Sequence, residues 1–120
     1  MAKLNKKEAT ALRKVLTKVP AVKHCCFMNA QRVTMYAESG EFLYHEGTMK
    51  GGAHAWNTIN GKIIDISNGF ATVISEKAYH LYEVKSTYTQ DEVFEEFIHR
   101  GCFSWLSDPT QYGTLYEGQD

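Results

Sequence analysis

The chain has 120 residues, with 13 Lys and Arg against 14 Asp and Glu and 43% hydrophobic residues. That size and balance fit one domain, residues 1–120, able to bury its own core without metal or disulfide support. They exclude a fibre, a repeat array and a disordered polyelectrolyte.

No apolar run approaches the roughly 18 residues needed to span a bilayer. Met1-Ala2-Lys3-Leu4-Asn5-Lys6-Lys7 has no apolar signal core behind it. A soluble, cytoplasmic protein with no membrane partner is therefore expected. Three cysteines, two of them adjacent, cannot make a paired disulfide framework, which agrees with a reducing compartment and leaves thiols free for chemistry.

Asn5 followed by Glu8 is a capping box, and Leu12, Val15, Leu16 and Val19 then recur at helical spacing until Pro20, which predicts a helix over about 6–18. Lys3, Lys7, Lys14 and Lys18 form a stripe roughly opposite that apolar one. A solvated basic face accounts for it. Contact with nucleic acid is not expected, because no aromatic residues interleave with the lysines.

Cys26, Ala30, Val33 and Ala37 recur at i, i+4, i+7 and i+11, which predicts a second helix from about Cys26 to Glu38, ended by Gly40. Phe42 to Glu46 has strand character, and Lys50-Gly51-Gly52 breaks it. Gly52 to Ser67 then reads as two strands joined by Asn60-Gly61. With a two-residue loop, Ile59 faces Lys62, Trp56 faces Asp65 and His54 faces Ser67, so His54 and Asp65 are diagonal neighbours on one sheet face.

Residues 68–78 give a weak pattern of a turn and short helix, and Tyr79 to Lys85 resumes strand character. Thr89 and Glu92 form another capping box, with Val93, Phe94, Phe97 and Ile98 as the buried stripe of a helix over about 90–100 that Gly101 ends. A loop-rich tail over 103–120 is expected to wrap the surface or fray. The fold class is α+β, with N-terminal helices packed on a small antiparallel sheet.

A cysteine nucleophile needs a base for its proton, a group to fix the tautomer of that base, and donors for the oxyanion formed in acyl transfer. Cys26 in the first turn of a helix, His54 on one hairpin strand and Asp65 on the next supply the first two. A helix N-terminus also favours thiolate over thiol. Trp56, on the His54 face, is expected to pack in the core and can shield the imidazole from water.

His24 beside the cysteine pair raises a zinc reading with His45 or His54, but adjacent cysteines lack the C-x-x-C spacing of a chelate loop, so neither metal nor cofactor is expected. His45, His80 and His99 read as surface residues. Tyr79, Tyr82 and Tyr88 read as residues of a half-exposed sheet. Glu46 fits an exposed strand position and a buried partner of a main-chain amide equally well.

Cys26-Phe27-Met28-Asn29-Ala30, Tyr44-His45-Glu46-Gly47, His54-Ala55-Trp56 and Asp65-Ile66-Ser67 occur in that order. This order resembles small bacterial and phage proteins carrying C-F-x-N-A, Y-x-E-G, H-A-W and D-x-T patterns, and through them the core of the papain-like and transglutaminase-like cysteine enzymes. The resemblance spans about residues 22–88. It implies Cys26 as nucleophile, His54 as base and Asp65 as orienting acid, with Asn29 and Glu46 in support and Ser67 at a position often held by threonine.

The implied activity is thiol hydrolysis or acyl transfer on an amide or ester, with a protein or peptide as the expected substrate. The chain departs from papain in having no glutamine ahead of Cys26 for the oxyanion and an aspartate where papain has asparagine. The alternative is a non-catalytic binding or inhibitor protein on the same fold, of the kind a phage directs at its host.

Overall fold

In the computed structural model, residues 3–67 and 69–107 are described. Two helices, α1 (Lys6–Lys18) and α2 (Cys26–Tyr36), precede β1 (Phe42–Met49), β2 (Gly52–Ile59), β3 (Lys62–Asp65) and β4 (Thr72–Val73). A 3-10 helix (Glu76–Leu81), β5 (Tyr82–Tyr88) and α3 (Gln90–Arg100) complete the chain as far as Gly101. The strands form one antiparallel sheet in the order β4-β3-β2-β1-β5, so β5 returns to the free edge of β1. The α+β class is as expected.

Local chemistry explains the boundaries. Asn5 Oδ1 accepts from Glu8 N, and Glu8 Oε1 accepts from Asn5 N, each at 2.8 Å, which satisfies two amides that an open helix start would leave bare. Thr89 and Glu92 repeat the device at α3, which ends where Gly101 turns left-handed at φ 73°. The β2–β3 turn places Asn60 at φ 51° and Gly61 at φ 80°, the two positive values a tight hairpin turn requires, and pairs Ile59 with Lys62. Lys50 and Gly51, at φ 53° and 81°, turn β1 into β2 in the same way.

Four expectations are corrected. α2 stops at Tyr36 rather than Glu38, where Ala37 goes extended. The stripe expected to be buried on α3 is so only in part, with Val93 buried but Phe94 and Ile98 exposed, Ile98 at 76%. Residues 79–81 belong to the 3-10 helix and not to a strand; this turn presents the Tyr79 hydroxyl to Ile63 N at 3.1 Å, and strand geometry starts only at Tyr82. Within the tail, Ser104 and Leu106 are buried rather than lying on the surface, while the reading of residues 108–120 falls outside the described residues.

Ala55, Asn57 and Ile59 of β2 face the helices. Ala55 and Ile59 sit in the hydrophobic core, and Asn57 Nδ2 donates to Ala30 O and Thr34 Oγ1 of α2. By the two-residue period of a strand, His54, Trp56 and Thr58 occupy the other face. The core has two parts, one between α1, α2 and the sheet around Val15, Val33 and Ile64, the other around Ala30, Tyr44, Val93 and Leu106 on the α3 side. Each fully buried aliphatic side chain contributes roughly 1.5–3 kcal/mol. Cys26 and Phe27 pack at the margin of the second part. Among the described residues no helix is long and apolar enough to cross a membrane.

Candidate active site

The chain reaches Cys26 through a strained turn. His24 lies at φ 63°, a conformation that costs an L-residue about 1–2 kcal/mol, and its N–H is bonded to Ser67 O at 3.2 Å. Asn29 reinforces this junction. Its amide donates to Val22 O at 2.7 Å and Ile66 O at 2.8 Å, and its oxygen accepts from Val22 N at 2.8 Å. The start of α2 is thereby sewn to the chain leaving β3, next to the first residues of β2.

At that junction the half-buried Cys26 thiol lies within hydrogen-bond reach of the His54 side chain and of the backbone of Ala55 and Phe27. His54 Nε2 is 2.8 Å from Asp65 Oδ2, and both side chains are about nine-tenths buried. With Nε2 engaged, Nδ1 is the ring nitrogen left for the thiol. Cys26, His54 and Asp65 are thus brought together.

Burial pushes the Cys26 thiol up, but the His54 imidazole and the neighbouring main-chain donors outweigh it and leave the thiol below its ordinary value. Burial also opposes charge on His54, yet the Asp65 carboxylate and the Cys26 sulfur raise it to about 9. Asp65 is destabilised by burial and then held below the usual carboxylate range, first by His54 and next by the Tyr82 hydroxyl. All three shifts favour a thiolate, imidazolium and carboxylate in a row. α2 starts at Cys26 without a side-chain cap from Cys25, so main-chain amides of its first turn have no acceptor within the helix.

Tyr82 is a participant that sequence reading missed. Its hydroxyl donates to Asp65 Oδ2 at 2.7 Å, the oxygen that also takes His54, and its ring lies against both His54 and Trp56. The other oxygen, Oδ1, is buried and has no well-formed hydrogen bond, although the Ser67 hydroxyl helps to hold the carboxyl down. Tyr82 reaches Asp65 because β5 approaches β1 closely. The pairing slips at a bulge between Glu46 and Gly47, and a Cβ on Gly47 would lie 1.9 Å from Glu83 O. A glycine in the middle of a strand was the available signal.

His45 is not at the surface. It is buried, bonded to Thr58 Oγ1 at 2.7 Å and Thr87 Oγ1 at 3.0 Å, and burial lowers its pKa to about 4, so it stays neutral. Trp56, 1% exposed, lies between the two imidazoles with ring centroids 6.0 Å from His45 and 6.1 Å from His54.

Glu46 takes the buried role. Its carboxylate accepts from the Tyr44 hydroxyl, from Leu106 N at 2.6 Å and from Ser107 N at 2.7 Å. Among the described residues no group of three or more His, Cys, Asp or Glu is placed to hold a metal ion. A separate groove of about 460 Å³ runs along α1, bordered by Lys7, Lys14, Lys18, Tyr36 and Glu38, and none of Cys26, His54 and Asp65 lines it. Comparison with family models, curated proteins and solved structures found no match.

Proposed function

We propose that this protein is a small thiol hydrolase or acyltransferase acting on an amide or ester, built on a core akin to the papain-like and transglutaminase-like enzymes. The observation that supports this most is the buried 2.8 Å contact of His54 Nε2 with Asp65 Oδ2, on an imidazole within reach of a thiol at the open start of a helix. His54 Nδ1 takes the thiol proton, and the sulfur lone pair forms a bond to the substrate carbonyl carbon as the C=O π pair moves to oxygen. The Cys26 N–H and the positive end of the α2 dipole stabilise that oxyanion.

When the oxyanion collapses, the bond to the amine or alkoxide breaks and the leaving group departs with the proton from His54, which leaves a thioester on Cys26. His54 then deprotonates an incoming water or amine, which attacks the thioester carbon. Collapse of the second oxyanion expels the sulfur, to which His54 returns the proton. Water yields an acid and an amine yields a transfer product.

Mild iodoacetamide followed by intact-mass measurement, at about pH 6 to 8 where an ordinary thiol is mostly protonated, tests this reading. One fast-reacting cysteine is expected, absent in Cys26→Ala and slowed in His54→Ala. Alkylation of Cys26 no faster than that of an unstructured peptide thiol refutes it.

The lysine-bordered groove on α1 supports a second reading, a non-catalytic protein that holds an acidic segment of a partner. The two separate on a folded Cys26→Ser variant. Full biological effect favours binding, and its loss favours chemistry.

A further inference from the structure

Residues 104–107 have no regular structure, yet three elements are committed to their backbone. Gln31 of α2, 1% exposed, donates to Ser104 O at 2.7 Å. Arg100 of α3 donates to Trp105 O at 3.4 Å and Leu106 O at 3.1 Å. Glu46 of β1, also 1% exposed, accepts from Leu106 N and Ser107 N. A carboxylate on two amides and a guanidinium on two carbonyls fix this short strap from both sides. Buried charges are expensive unless hydrogen-bonded, so that arrangement implies a demand for one defined backbone position.

The strap positions Trp105. Its ring lies against Phe27 with centroids 5.3 Å apart, and Phe27 is the residue that follows the thiol. Both rings, like Cys26, are only partly buried and pack against the same α3-side core, so each keeps some apolar surface open on the side of the molecule where the helix bearing Cys26 starts.

We propose that Trp105, held by the strap and backed by Phe27, is the specificity wall of the site and receives an apolar, preferably aromatic, substituent next to the acyl group that Cys26 attacks. The inference rests on the thiol-enzyme reading above. It assigns a substrate class that the reacting trio leaves open, namely acyl compounds with a bulky apolar group near the carbonyl. A planar substituent would lie against the indole as Phe27 does on its other flank, with offset or tilted rings.

The test compares alkylation rates of Cys26 by iodoacetamide and by its N-benzyl derivative, with a short cysteine peptide as reference. The expected result is a benzyl-to-parent rate ratio about tenfold above that of the peptide, since one apolar group gained in a pocket is worth roughly that much. The ratio should fall to the peptide's value in Trp105→Ala and be restored in Trp105→Phe. A structural role alone would not follow the probe's substituent in this way. If Trp105→Ala does not fold, Trp105→Leu replaces it, and a ratio there equal to the wild type overturns the proposal. Fast reaction with both reagents at the peptide's ratio overturns the wall and leaves the nucleophile standing. Slow reaction with both overturns the thiol-enzyme reading and the wall with it.

Discussion

Replacing Asp65 by Asn removes the charge behind His54 while leaving room for the same geometry. His54 Nε2 and the Tyr82 hydroxyl both donate to Oδ2, whereas Oδ1 has no well-formed bond. An asparagine can place its carbonyl oxygen at the first position and its NH₂ at the second, so both donors keep an acceptor, the Ser67 hydroxyl can turn to accept from the NH₂, and the main loss is the charge. A hydrogen bond to a charged group is worth roughly 1.5–3 kcal/mol and a neutral one roughly 0.5–1.5 kcal/mol. The difference, about 1–1.5 kcal/mol, corresponds to about one pH unit at roughly 1.4 kcal/mol per unit.

His54 should therefore titrate about one pH unit below its value of about 9 in the native protein. The thiolate loses part of its cation, so the rising limb of Cys26 alkylation against pH should move to higher pH. The assay is the pH profile of iodoacetamide labelling, with the His54 ring followed by NMR and folding by circular dichroism. A folded Asp65→Asn protein in which neither the ring titration nor the rising limb moves would refute the claim that Asp65 supports His54 by its charge.

Glu46→Gln turns one acceptor into a donor against the amides of residues 106 and 107, which should cost about 2–4 kcal/mol in urea unfolding; a change below about 0.5 kcal/mol would show that the carboxylate does not hold the strap. Gly47→Ala drives a methyl into Glu83 O, so a loss of about 1–3 kcal/mol together with slower Cys26 alkylation is expected as β5 carries Tyr82 away. Unchanged stability would contradict the close approach. His24→Gly relieves the left-handed turn against a smaller entropy cost, and a gain of about 0.5–1 kcal/mol in the same unfolding assay is expected.

Glu8 is held at about 2 by the hydrogen bonds of Lys62, Asn60 and Asn5, against an ordinary value of 4.5. Its folded value is depressed, so its contribution is complete above 4.5 and is lost as pH falls through about 2. Thermal midpoints of wild type and Glu8→Gln should accordingly converge over that interval, and a constant gap would contradict the linkage.

The periodic parts of the chain were legible. Capping boxes at Asn5 and Thr89 marked two helix starts to the residue, and Asn60-Gly61 set the register that makes His54 and Asp65 neighbours. These signals are local, each read within a few residues. What escaped was long-range. Glu46 finds amides 60 and 61 residues away, and Tyr82 finds Asp65 across 17 residues and a bulge.

No spacing rule covers such pairs, since either partner alone is compatible with an exposed strand. His45 misled for the same reason: two threonines from different strands satisfy it, and nothing near it in sequence shows that burial. The strand expected at Tyr79 failed because the need for an acceptor to meet the Ile63 N–H overrode the β-propensity of the tyrosines.

Trp56, between an imidazole kept neutral and one kept protonated, has a further consequence. An excited indole passes charge to an imidazolium in contact with its face and so dims, while a neutral ring leaves it bright; the chain has one other tryptophan, Trp105. In a Trp105→Phe background the emission therefore becomes an internal optical gauge of the His54 proton. It should brighten as pH rises through about 9, where His54 loses its proton, and dim further as pH falls through about 4, where His45 gains one.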